Sequence, residues 1–496
     1  RVGRMSSRRF IGSHDWYREG AEKLVAEQDK FAGYWKGVGT HAEGAAEVST
    51  SLALLFLAKG RRPVVVAKLK REPEDDWNRH RNDIANLVAY TENRWERDLS
   101  WQVIDVKAAK VEDLLQAPVL YISGSQALRM SADEAKNLRD YIDRGGFIFA
   151  VACCGDRKAF DESFRRLMDD VFPEPEYALR PLRPGEHPIW LAEEEVSLKH
   201  AKPLEGVDFG CRTAVVYSPE DISCLWELSR LHRKVPLADE LAAEVQAANS
   251  IGVNVLTYAT GREPKYKYEI SATLEQDVKA DQSDRGVLFL AKLRHPGGCD
   301  AAPGALANLV RAAGANLEIP VASPDRLVNI GDKELFQYNL VFMHGRNAFR
   351  FTPAERKQLR TFVERGGTIF ADAICASRPF ADSFREEMKI IFPDDSLEPI
   401  PVSDPLFTSQ YGGSDIKTVS RRDPQPRIAG QPLKASIRQV EPTLEGLKIE
   451  GRYGVIFSPY DISCALEKHE SLQCHGYVRD DAAKIGLNVL LYSLHE

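Results

Sequence analysis

The chain has 496 residues, 43% hydrophobic and 28% charged, with a formal net charge of −7. That length holds roughly two to four domains. The mixed, slightly acidic composition argues against the concentrated basic face that phosphate recognition needs, so nucleic acid is not an expected partner. No apolar run of eighteen residues occurs, which excludes a membrane-spanning helix, and eight cysteines are too few for a disulfide framework.

In chain order, residues 1–60 read as a helical hairpin. "DWYREGAEKLVAEQDKFAGYWKG" and "EVSTSLALLFLAKG" are two helices joined by a Gly-rich turn. Gln28, Gly33 and Trp35 make a Q-x4-G-x-W pattern. It resembles one helical repeat of the squalene-cyclase and prenyltransferase α/α toroids, which implies the tail of a larger domain.

From residue 61 short β-branched runs alternate with amphipathic segments. "PVVVAKL", "WQVIDV", "PVLYISG", "FIFAVA", "TAVVYS" and "VNVLTYA" read as strands. The helix in "SADEAKNLRDYIDRGG" opens on a capping box, Ser131 with Glu134, and stops at Gly-Gly. Apolar strands alternating with helices predict a mainly parallel sheet covered on both faces, with ligands at the carboxyl ends of the strands.

The same pattern then recurs. "SPEDISC" at Ser218 returns as "SPYDISC" at Ser458, "RGGFIFA" as "RGGTIFA", and "FDESFRRLMDDVFP" as "FADSFREEMKIIFP". The order is kept, at offsets between 220 and 240 positions, so the chain carries two copies of one domain. The expected organisation is a helical hairpin at 1–60, α/β domains at 61–260 and 285–496, and a linker at 261–284. The second copy carries an insertion around 411–439, expected as a surface loop.

Candidate site residues follow from the strand ends. After "FIFAVA" come Cys153, Cys154 and Gly155; after "TIFADA" comes Cys375. A cysteine at a strand-to-helix turn suits a nucleophile elbow, with the Gly155 N–H helping to hold an oxyanion. It also suits a small buried apolar side chain. His187 is the expected base, and only the first copy has it; the second has Asp404 there. Asp221, or Glu227, is the expected orienting carboxylate. Ser218 and Asp221, like Ser458 and Asp461, end a strand and cap the next turn, or line the same cleft; Glu227 and Glu467 follow them. Gly124 with Ser125, and Gly345 with Arg346, would let a ligand approach the backbone, and Asp372 stands on a strand end where the first copy has Val151. Cys464, His469, Cys474 and His475 do not make a standard zinc spacing, and no dinucleotide or Walker A motif occurs, so neither metal nor cofactor is expected.

The ordered set "RGGFIFA…CCG…FDESFRRLMDDVFP…LEG…YSPEDISC…GVNVLTY" resembles the bacterial domain of unknown function 4159 family over about residues 62–260 and 285–495. The resemblance implies two flavodoxin-like three-layer sandwiches similar to class I glutamine amidotransferases, whose members use a Cys-His-Glu triad. No His-x-Glu pair follows the later strand in either copy. Two functions are therefore carried forward. One is a non-catalytic tandem module that binds a ligand, glycan or protein, or scaffolds a bacterial assembly, with a lean toward export and an open oligomeric state. The other is a cysteine-dependent hydrolase or amidotransferase-like enzyme acting in the first copy through Cys154, His187 and Asp221.

Overall fold

The computed structural model describes residues 8–262 and 288–495, apart from 9, 13, 38–43, 59–61, 72–75, 155–156, 174–176, 210–211, 230–234, 300, 303, 311–320, 323–326, 427, 429–433 and 468–471. Gly155, His469 and nearly all of the expected linker lie outside the described residues.

Helices Trp16–Glu27 and Ala46–Leu57 form the N-terminal hairpin. The Phe56 ring stacks on Tyr17 at 5.2 Å and meets Trp16 edge-on at 5.8 Å. The Q-x4-G-x-W pattern closes the turn between them. Gln28 Nε2 donates to Gly33 O at 2.8 Å and Trp35 Nε1 to Leu24 O at 2.6 Å.

The first α/β unit contains β1 (Val64–Lys70), β2 (Ser100–Asp105), β3 (Val119–Gly124), β4 (Phe147–Ala152), β5 (Arg180–Pro181), β6 (Glu205–Phe209) and β7 (Arg212–Ser218). They lie in the order β2-β1-β3-β4-β7-β6-β5, parallel up to β7 and antiparallel beyond it. The second unit contains β8 (Leu288–Arg294), β9 (Val321–Ala322), β10 (Leu327–Asn329), β11 (Leu340–Gly345), β12 (Thr368–Ala373), β13 (Glu398–Pro399), β14 (Val419–Pro424), β15 (Ala435–Val440), β16 (Glu445–Ile449), β17 (Arg452–Ser458) and β18 (Gly476–Tyr477). Its main sheet repeats the order as β10-β8-β11-β12-β17-β16-β13, with β9 added beside β8. Each sheet has an apolar cluster on both faces, the three-layer arrangement of a flavodoxin-like unit.

Both capping boxes form. Ser131 and Thr352 accept from the N–H groups of Glu134 and Glu355, whose carboxylates reach back to the cap N–H groups. The Gly-Gly stops have a packing reason as well as a conformational one. Gly145 and Gly366 sit at φ 92° and 101°. A Cβ on Gly146 would stand 2.4 Å from the Tyr141 ring, and one on Gly367 2.3 Å from the Phe362 ring.

Two sequence expectations fail. "VNVLTYA" is no strand; it lies inside helix Asp239–Thr260, and "GLNVLLY" lies inside helix Arg479–His495. Residues 247–260 are buried on every side, small polar residues such as Asn254 and Thr257 included, so the helix shows no polar face and its period cannot be told from that of a buried strand. The insertion is also more than a surface loop. It holds the antiparallel hairpin β14–β15, and β14 pairs with β18 to make a separate three-stranded sheet.

Candidate functional site

The "SPEDISC" turn fixes the centre of the first unit. Ser218 Oγ donates to Glu220 O at 2.7 Å and ends β7. Asp221 then accepts from Cys224 N at 3.0 Å and Ser223 Oγ at 2.7 Å, the expected turn cap. Its second oxygen reaches the next strand end and accepts from Cys154 N at 2.7 Å. One carboxylate thus ties the end of β7 to the turn after β4. Burial pushes its carboxyl up, but a hydrogen bond from His80, with those from Cys224 N and Ser223 Oγ, outweighs it and holds the group below the usual carboxylate range.

The two adjacent cysteines differ. Cys153 is 1% exposed, its Sγ lies 3.5 Å from Ser223 Oγ, and burial pushes its thiol up to about 12. Cys154 is half-buried. Its Sγ accepts from Arg79 Nε at 3.1 Å and lies 3.7 Å from His80 Nε2. The same His80 nitrogen is 3.3 Å from Asp221 Oδ2. Arg79 and His80 come from the loop after β1, which buried groups anchor: Lys68 Nζ donates to His80 O and to Asp83, each at 2.7 Å. An imidazole and a guanidinium beside an accessible thiol are the surroundings in which reactive cysteines occur.

His187 is not in this cluster. Its Nδ1 accepts from Ile189 N at 3.2 Å, capping the turn Pro188–Leu191, and its Nε2 lies 2.9 Å from Thr213 Oγ1. Thr213 stands at the start of β7, so His187 serves the opposite end of the sheet. Asp404 plays the same part in the second unit, capping Pro405–Phe407 and accepting from Tyr453 Oη at 2.8 Å. Glu227 does not orient a base. It caps helix Asp83–Trp95, accepting from Asn82 N and Nδ2, both at 2.6 Å. The approach at Gly124 is taken up internally, since a Cβ there would meet Arg71 Nη2 at 2.9 Å and Asp76 Oδ1 at 3.1 Å. Ser125 donates to the same Asp76 through N at 3.0 Å and Oγ at 2.5 Å. Gly345 likewise lies against Gly297 O, and Arg346 N donates to that oxygen at 3.0 Å.

His80 lies 74 positions from Cys154 and carries no local motif, so nothing in the neighbourhood of the cysteines points to it. The rule that places ligands at strand ends applies equally to β1, whose end leads directly into "REPEDDWNRH".

In the second unit the turn is built alike and its chemistry differs. Ser458 Oγ donates to Tyr460 O at 2.6 Å, and Asp461 accepts from the N–H groups of Cys375 and Cys464. Aligning "ANLV" of Ala85–Val88 with Ala307–Val310 puts Ala302 where the first unit has His80. Asp372, fully buried, accepts from Ile462 N at 3.0 Å, Ser463 N at 3.1 Å and Ser463 Oγ at 2.6 Å. Burial and the Asp461 charge push its carboxyl above the usual range, and burial pushes Asp461 the same way. Glu467, the counterpart of Glu227, caps through Gly304 N and is pushed up to about 7 by burial. Cys375 sits at φ 51°, a left-handed position that the Asp461 contact holds.

Among the described residues no helix is long and apolar enough to cross a membrane. The family model "Domain of unknown function (DUF4159)" matches residues 65–260 and again 289–494, so the chain belongs to that family and carries it in tandem. No curated protein matches. Among solved structures, a candidate phosphosugar isomerase from Silicibacter pomeroyi DSS-3 is 12% identical, covering 73% of this chain and 84% of its own, with a TM-score of 0.16. A candidate sugar binding protein from Salmonella typhimurium LT2 is 8% identical, covering 64% and 79%, with a TM-score of 0.18. At such TM-scores neither likeness carries an argument about this chain.

Proposed function

We propose that this DUF4159 chain holds one cysteine-dependent acyl-transfer site, in its first unit, and that the second unit serves as scaffold. The supporting observation is the 3.7 Å approach of Cys154 Sγ to His80 Nε2, two residues from different strand ends, with alanine in the histidine's place in the second unit. The substrate class is an ester, thioester or carboxamide. With the Cys154 proton carried on His80 Nε2, between the sulfur and Asp221 Oδ2, the sulfur adds to the carbonyl carbon. The leaving group departs with the proton that His80 returns, and water then hydrolyses the thioester, releasing the acid and restoring the thiol. Asp221 Oδ2, 3.3 Å from His80 Nε2, stabilises the imidazolium formed on the way. This assignment replaces His187 by His80, and it departs from the Cys-His-Glu order of the glutamine amidotransferases that the sequence resembles.

The test is alkylation of the native chain by iodoacetamide at pH 7, read at each cysteine by mass spectrometry, beside hydrolysis of p-nitrophenyl acetate. Cys154 should react at least tenfold faster than Cys375, and His80→Ala should abolish the difference and the ester hydrolysis together. Equal rates at the two cysteines would refute the assignment. The non-catalytic binding reading would then lead, supported by a polar cleft of about 620 Å³ lined by Arg94, Glu193, Glu194, Glu195 and His200.

A further inference from the structure

The cluster around Asp221 offers more than a nucleophile. His80 Nε2, Cys153 Sγ and an Asp221 oxygen all lie within 4.8 Å of one another. A carboxylate presents about four lone-pair positions. Three of those of Asp221 are occupied by Cys154 N, Cys224 N and Ser223 Oγ. The remaining direction faces His80 Nε2 at 3.3 Å. Two acceptors facing at that distance need something positive between them, a proton on the ring or a metal ion. In tetrahedral zinc sites, bond lengths of about 2.0–2.3 Å place neighbouring donors roughly 3.3–3.8 Å apart. Nitrogen, thiolate and carboxylate are all zinc ligands, and three protein ligands leave a fourth position open.

The donors are also held in place. The side chains of His80 and Asp221 are 13% and 10% exposed, and Cys153 is 1% exposed. The bonds to Cys224 N, Ser223 Oγ and Cys154 N orient the carboxylate, and Lys68 Nζ fixes the His80 backbone, the outer support that a metal site requires.

We infer that His80, Cys153 and Asp221 form a binding site for a thiophilic divalent cation of the zinc type, and that its occupation takes the His80 nitrogen away from Cys154. The metal would therefore silence the thiol chemistry reversibly. The inference stands on a different cysteine from the proposed function: metal needs Cys153 and not Cys154, acyl transfer needs Cys154 and not Cys153.

The test uses the full chain, stripped with a chelator and titrated with Zn2+ against a chromophoric competitor, with bound metal counted by mass spectrometry. His80→Ala and Cys153→Ser should each lose one equivalent relative to wild type, or bind it at least about a hundredfold more weakly. Cys154→Ala should keep it, as should Cys474→Ser, which checks that the lost equivalent does not come from the second unit's cysteines. Retention of that equivalent at wild-type affinity by either His80→Ala or Cys153→Ser overturns the assignment, whatever the outcome of the esterase assay.

Discussion

Replacing Glu467 by glutamine should stabilise the second unit, with a gain that sets in above about pH 4.5 and is complete above about 7. Glu467 is fully buried, takes the N–H of Gly304 on one oxygen, and has no hydrogen-bond partner on the other among the described residues. Burial pushes its carboxyl from 4.5 up to about 7, against the pull of Gly304 N and the Lys292 charge. Between those values the folded unit holds a proton that the unfolded chain has released, so this group makes stability fall as pH rises, with the full deficit reached above about 7. At 1.36 kcal/mol per unit of pKa the deficit is roughly 3 kcal/mol. Glutamine keeps the acceptor for Gly304 and cannot ionise. By calorimetry of the full chain, Glu467→Gln should unfold near the wild-type temperature at pH 5. At pH 8.5 the gain should be roughly 6–12 °C, for a unit of about 200 residues. A mutant-minus-wild-type difference that does not grow between those two pH values would refute the burial argument.

Asp372→Asn should act in the same direction, because asparagine still accepts from Ile462 and Ser463 while the repulsion with Asp461 disappears; unfolding temperatures at pH 5 and 8.5 read the effect. His187→Ala removes a cap and should cost about 1 kcal/mol in denaturant unfolding. It should leave the alkylation rate of Cys154 unchanged, which a catalytic His187 would not. Gly146→Ala forces a Cβ to 2.4 Å from the buried Tyr141 ring and should cost about 1–3 kcal/mol; a neutral result in the same denaturation assay would mean that the ring moves freely.

The duplication and the parallel sheets were legible because strands buried on both faces write themselves as apolar runs, and copies share their punctuation. The terminal helices were not, since a helix enclosed on all sides writes the same run. The turn around Asp221 was legible as a cap, because an Asx turn is local. Its reach to Cys154 was not, because the partners are 67 positions apart. His187 looked attractive as a histidine present in one copy only; its replacement Asp404, an equally good cap, pointed to the structural role. His80 differs in the same way between copies, and there the substitute Ala302 preserves nothing.

The small sheet of β14, β15 and β18 has a consequence for how the copies could diverge. It brings Gly476 over the Asp461 turn so closely that a Cβ would stand 2.5 Å from the Asp461 carbonyl oxygen, and Asp461 is fully enclosed. Among the described residues the first unit has no counterpart to that hairpin. A turn sealed in this way answers to packing alone, and residues that once met solvent there are free to become hydrophobic, or to be kept as buried acids. In the first unit the Asp221 side chain keeps 10% of its surface exposed, so its turn answers to solvent as well as to packing. A hairpin of this kind, present in the second unit and absent from the described residues of the first, leaves two turns of the same sequence punctuation under different constraints.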